Sequence, residues 1–225
     1  MRHVRKKQKQ RDPQGAETVM TSKDVLSLYR RGKRDFRHIR VEEGADLAGA
    51  NLQGASFLGA TLRRVDLSGA FLTHVQLKGA DLTGARLCGA VVNATDLIDA
   101  TFAEGDLSKA DFTGASMNRT ICTNADMRFA HFGNANLNKA VLTGANLRGV
   151  SLSTTYLFDL DVSPLCDEGQ LRHVSPSSVD SRTVIKSYRN PHLLQFMIDC
   201  GVPPLFATYM IDCARALNEP MLRSL

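Results

Sequence analysis

The residues best suited to ligate a metal or attack a substrate are the six histidines and five cysteines. His3, His38, His74, His131, His173 and His192 are scattered, with no HExxH spacing and no Ser or Cys motif beside them. Cys88, Cys122, Cys166, Cys200 and Cys213 include no CxxC pair. Cys200 and Cys213 are read as thiols rather than a disulfide or metal pair. No catalytic, cofactor-binding or metal-binding residue is expected, and the chain is not read as an enzyme. Charge is unevenly placed: residues 1–43 hold 13 Lys/Arg against six Asp/Glu, whereas residues 44–160 hold nine against ten and residues 161–225 six against seven. The basic character therefore belongs to the N-terminus.

The element that must position everything else is a repeat of five. From Ala45 to Asp159 the chain reads GADLA, GANLQ, GASFL and onward without a slip. The large central residue of each five runs from Leu47 to Leu157, 23 centres in register, with a small residue two positions before each. A helix would smear such a series around its surface, and a flat strand would send successive centres to opposite faces. The chain must therefore turn once per repeat. The two apolar positions, two apart, then point inward together. Gly at the last position of ten repeats suits a corner. Such a coil cannot close its backbone bonds alone and must stack on its neighbours.

This pattern resembles the pentapeptide-repeat family, whose consensus is A(D/N)LXX. The resemblance implies an all-β solenoid, a right-handed quadrilateral β-helix with four repeats per coil. About six coils, roughly 28 Å at about 4.8 Å per strand spacing, would follow. Leu47, Leu67, Leu87, Leu107, Met127 and Leu147 would stack as one interior column, with Phe112 and Phe132 as neighbours in the next. Cys122, a centre, is expected in the core, and Cys88, which follows a centre, is expected to be exposed in a reducing, cytoplasmic setting. Outside, Asp46, Asp66, Arg86, Asp106, Asp126 and Asn146 would line one edge. Some members of the family imitate DNA with an acidic face and inhibit gyrase. Here Arg86, Arg128 and Arg148 interrupt that face, so DNA mimicry is the alternative function rather than the preferred one.

The flanks complete the layout. Residues 1–20 read as a basic disordered tail without the apolar core of a signal peptide. Contact with nucleic acid or anionic lipid is its functional reading, and a solvated tail is preferred; nucleic acid is not an expected partner. Residues 21–44 give a helix capped by Thr21 with Asp24 three later, then an imperfect coil with Phe36 and Val41 as centres and a bulge near Glu42–Gly44. Residues 45–162 form the β-helix, 163–178 a loop, and 179–225 a C-terminal helical cap and oligomerisation segment. Asp180, Asn190–Pro191 and Pro203–Pro204 open three helices. The last two are apolar on several sides, so Phe196, Met197, Leu205, Phe206, Tyr209 and Met210 are expected to form a homodimer surface. No stretch is long enough to span a bilayer. The run from Ser178 to Leu217 is similar to the linker that joins pentapeptide repeats to a TIR domain in some bacterial proteins. That similarity implies a downstream TIR domain, while the residues of its NAD-cleaving site are absent here. The expected function is a protein-interaction or oligomerising scaffold.

Overall fold

The computed structural model describes residues 19–167 and 171–222. The expected basic tail, residues 1–20, lies almost wholly outside the described residues; only Val19 and Met20 fall within them, and they form a strand.

Each repeat contributes one short side of a four-sided coil. Parallel bridges join residues twenty apart, as in Asp46↔Asp66↔Arg86↔Asp106↔Asp126↔Asn146 and Asn51↔Phe71↔Val91↔Asp111↔His131↔Ser151. Inside, every one of the 23 centres is buried, and so are nearly all the small residues two positions earlier. The structure is a four-sided β-helix whose core is a stack of side-chain columns. The column Leu47, Leu67, Leu87, Leu107, Met127, Leu147 is buried throughout. Phe112 and Phe132 stack with ring centroids 5.3 Å apart and planes 5° from parallel.

The ladder accounts for the backbone donors of a repeat one by one. In the first, Leu47 N donates to Asp66 O, Gly49 N to Ser68 O and Ala50 N back to Leu47 O. Asp66 N donates to Ala45 O in the coil before. The remaining donor, one residue after the centre, goes to a side chain: Ala48 N to Asp46 Oδ1 at 3.0 Å. The last residue of every repeat from Gly49 to Asp159 has φ between 51° and 72°, whether or not it is glycine. That left-handed turn makes the corner, which is why Gly recurs there and why Asn and Asp, such as Asn124 and Asp99, are tolerated.

At the N-terminal end, β1 (Val19–Met20) pairs in parallel with β2 (Arg40–Val41). Between them lies α1 (Ser22–Arg30), with Thr21 and Asp24 closing a capping box and Val25 buried. Phe36 stacks on Phe57 at 5.1 Å. Asp35 bridges Ser56 and Arg40 bridges Thr61, offsets of 21 rather than 20, which matches the expected extra residue.

The expected loop at 163–178 is corrected. It holds α2 (Ser163–Asp167), β5 (Arg172–Ser175) and the start of β6 (Ser178–Val179). β5 pairs with β3 (Ser151–Ser153), and β6 with β4 (Tyr156–Leu157), both in parallel. Ser151↔Arg172 and Tyr156↔Ser178 are 21 and 22 apart, so the coil continues after the five-residue period has gone. Then come α3 (Ser181–Ser187), α4 (Leu193–Asp199) and α5 (Pro204–Leu222). α4 starts two residues after Pro191, because Asn190 Oδ1 accepts from His192 N at 2.8 Å and holds a turn there. α5 runs to Leu222.

Candidate interaction surfaces

The rod's outer surface consists of four faces, each built from the residue before a centre and the two after it. On the face carrying Asp46, the acids Asp46, Asp66, Asp106 and Asp126 are matched by Arg86, Lys109, Arg128 and Arg148. Arg128 holds Asp126 at 2.6 Å and Arg86 lies 3.6 Å from Asp66. The Arg128 guanidinium, by hydrogen bonding to Asp126, holds that carboxyl below its usual range. The next face, from Asn51 to Thr154, carries a single formal charge, Asp111, beside Phe71, Val91 and a run of Asn, Thr and Ser. The third carries Asp96, Asp99 and Asp159 against Lys78, Arg119 and Lys139. Arg119 grips Asp99 through two bonds of 2.6 and 2.7 Å. The fourth sets Asp81 and Glu104 against Arg63 and Arg64. No face is a continuous field of one sign.

The C-terminal helices divide the expected interface residues. Phe196 and Met197 are 4% and 0% exposed, packed inside the chain, and this corrects their place in a dimer surface. Their helix lies between α2 and α5, so its second apolar side is covered from within. Met210 is half-buried against the same core. Leu205, Phe206 and Tyr209 remain 86%, 56% and 64% exposed. α5 thus has two apolar stripes. Ala207, Ile211 and Ala214 are buried where the helix packs on α3 and α4. Phe206, Tyr209, Cys213 and Ala216, at spacings of three, four and three, run along the outer side. Tyr209 and Cys213, four residues apart on the helix, lie one turn from each other on that stripe.

The histidines and cysteines do not converge on a reactive site. His38 and His74 occupy corners, His131 precedes a centre, and His3 lies outside the described residues. His173 Nδ1 lies 4.0 Å from Cys200 Sγ, and its ring packs edge-on against Phe196. Burial lowers the His173 pKa, with the charge of Asp199 pulling the other way. Burial pushes the Cys200 and Cys122 thiols up to about 12, which keeps both protonated and poor nucleophiles. Cys88, expected to be exposed, is half-buried, with Ser108 Oγ donating to it at 3.4 Å. A cleft of about 280 Å³ opens beside His173, lined also by Cys166, His192, Phe196 and Asp199. Among the described residues no group of three or more His, Cys, Asp or Glu is placed to hold a metal ion. No helix there is long and apolar enough to cross a membrane.

The signature described as pentapeptide repeats (8 copies) matches residues 43–79, 80–119 and 120–157. The chain belongs to the pentapeptide-repeat family. Its four-sided coil is the right-handed quadrilateral β-helix of that family. Among solved structures, full-length QnrB1, a plasmid-mediated fluoroquinolone resistance protein, is 15% identical over 64% of this chain and 86% of its own, with a TM-score of 0.33. A pentapeptide repeat protein from the Arabidopsis thaliana thylakoid lumen is 32% identical over 46% of this chain and 66% of its own, with a TM-score of 0.25. Rfr23 from the cyanobacterium Cyanothece 51142 is 23% identical over 55% and 94%, with a TM-score of 0.31. No curated protein matches the chain.

In this pentapeptide-repeat protein the residue before the centre has a role that sequence reasoning assigned only to the surface. Asp66, Asp81, Asp96, Asp106, Asp111 and Asp126 each accept from the backbone N–H two residues on, at 2.9–3.1 Å. The signal that could have found it is the Asx-turn preference of Asp and Asn itself.

Proposed function

We propose that this pentapeptide-repeat protein is a non-enzymatic scaffold of the cytoplasm, a rod of about six coils that pairs with a second copy through α5. In this reading α1 and α3–α5 serve as the caps of the two ends, leaving the four faces for a protein partner. The observation that carries the reading is the outer stripe of α5. A helix packed on one side needs a single apolar stripe. Here the inward stripe is already used by Ala207, Ile211 and Ala214, and Leu205, Phe206 and Tyr209 still face solvent. The three-four-three spacing of Phe206, Tyr209, Cys213 and Ala216 is the seam by which one helix meets another like itself. A two-fold axis lets one stripe serve as its own partner.

The same proposal has the chain act as the N-terminal part of a bacterial TIR-domain effector, on the strength of the linker-like run from Ser178 to Leu217. Assembly through α5 would then bring two following domains side by side. DNA mimicry fits less well, since each acidic residue on the Asp46 face has a basic counterpart on that face.

Light scattering in the tens-of-micromolar range tests the pairing. The wild type is expected at twice the chain mass, and Tyr209→Glu at the single mass with an unchanged thermal melt. A monomeric wild type rejects the proposal, as does a folded Tyr209→Glu that keeps the dimer mass. Tyr209 is the better probe than Met210, whose half-buried side chain would confound folding with pairing.

A further inference from the structure

Basic residues cluster at one end of the rod. Lys23, Arg30, Arg31, Lys33, Arg34, Arg37 and Arg40 are all exposed and all precede the first full coil. Of the four acids in the same region, Asp24 is engaged in the capping box of α1. Asp35 holds Arg37 at 2.7 Å, Glu43 holds Arg64 of the next coil at 3.3 Å, and Glu42 is exposed. Arg34 is fixed: its guanidinium lies 3.7 Å over the Tyr29 ring and donates to Tyr29 O and Lys33 O at 2.9 and 3.1 Å. Lys33 Nζ stands 5.3 Å over the Phe36 ring. Six further Lys/Arg fall in the first eleven residues of the chain.

We infer that the N-terminal end of the rod is a docking surface for an anionic lipid bilayer. The shape of the basic region separates this partner from a nucleic acid. A duplex is a long cylinder, and its phosphates would run past the end onto faces where charges of both signs alternate or are nearly absent. Arg30, Arg31, Lys33 and Arg34 fall within five residues, at the end of α1 and in the turn after it, ahead of the first full coil, where a flat surface laid across that end would approach them. A run of this density is the kind that anionic headgroups attract, with each cation contributing only while it stays within a Debye length of the surface. The rod would stand off the bilayer with α5 at its far end, so the docking does not depend on pairing through α5.

The test is co-sedimentation of the full chain with vesicles of phosphatidylcholine alone or with added phosphatidylserine, at about 0.1 M salt. The protein is expected to pellet with the anionic vesicles only and to be released as salt rises. Arg31→Glu with Lys33→Glu should weaken binding at least about 25-fold, at roughly 5-fold per lost cation. Arg31→Ser with Lys33→Ser gives the same direction without charge reversal beside α1. Lys109→Glu, on a long face, should change nothing. Removal of residues 2–11 should weaken binding and leave the remainder salt-sensitive. Equal pelleting with neutral vesicles overturns the inference. So does a tail deletion that abolishes binding while the Arg31 and Lys33 variants keep it. Tighter binding to a 20-base-pair duplex than to anionic vesicles at the same salt (~20 bp being a typical site length) would mean a nucleic-acid surface instead.

Discussion

Phe112 and Asp111 are adjacent in the chain and face opposite ways. Phe112 is buried in a stack with Phe132 and meets Phe102 edge-on at 6.4 Å. Phe112→Ala removes that burial and leaves a cavity the rigid ladder cannot collapse into, at a cost of about 3–5 kcal/mol. From its outward position alone, Asp111→Ala would be almost silent. The structure raises that figure, because Asp111 Oδ1 accepts from Thr113 N at 2.9 Å and Thr113 Oγ1 at 2.6 Å. Loss of an exposed hydrogen-bond acceptor of this kind costs about 1 kcal/mol. Urea melts should rank Phe112→Ala well below Asp111→Ala, and Asp111→Ala measurably below wild type. Equal losses would contradict the inside–outside assignment. The core residues were legible because burial fixes both size and spacing, and a five-residue period leaves one register. The Asx bond was not, since an outward Asp looks the same whether it faces water or a backbone amide.

At the next scale, two of the helix starts were legible and the irregular coil before the last three helices was not. Thr21 and Asp180 both cap where a Thr or Asp precedes an apolar run. The 163–178 segment was missed because its bridges are 21 and 22 residues apart, so no fixed period points to them. Asp180 has a second duty there. Its Oδ1 accepts from Thr183 N at 2.9 Å, capping α3, and from Asp159 N at 3.0 Å, holding the last corner of the β-helix. Burial works against its charge. The bonds from Asp159, Thr183 and Arg182 outweigh burial and hold its pKa at about 2. The folded value lies below the ordinary carboxylate range near 3.9, so the charged form is favoured by folding. Its contribution is therefore complete above about pH 4 and disappears as pH falls toward 2. Asp180→Ala should lose about 1–3 kcal/mol at neutral pH and show a shallower decline in melting temperature between pH 5 and 2. A parallel decline in both proteins would remove Asp180 from the acid response.

A stacked coil transfers its own problem to its ends, because the final turn has donors and apolar side chains with no further coil to meet them. In the proposed capping role the C-terminal helices take that place. Val162 N donates to Ser187 Oγ at 2.9 Å, Leu160 N to Thr183 Oγ1 at 3.3 Å, and Lys186 Nζ to Asp159 O at 2.8 Å. Leu157, Leu160, Val162 and Leu165 are buried at the same end. A chain cut before Asp180 would strip the side-chain acceptors from Asp159 N, Leu160 N and Val162 N. Each donor left without a partner costs about 1–3 kcal/mol where water cannot reach it, and the uncovered leucines would seek another surface. The truncated chain should melt at a lower temperature and associate more strongly than the full chain at equal concentration, as read by thermal melts and light scattering. Because truncation also removes α5, that association cannot come from the α5 stripe and must come from the bare end. A truncated chain that stays monomeric and melts with the wild type would show that the repeats close their own end, and that the helices serve pairing alone.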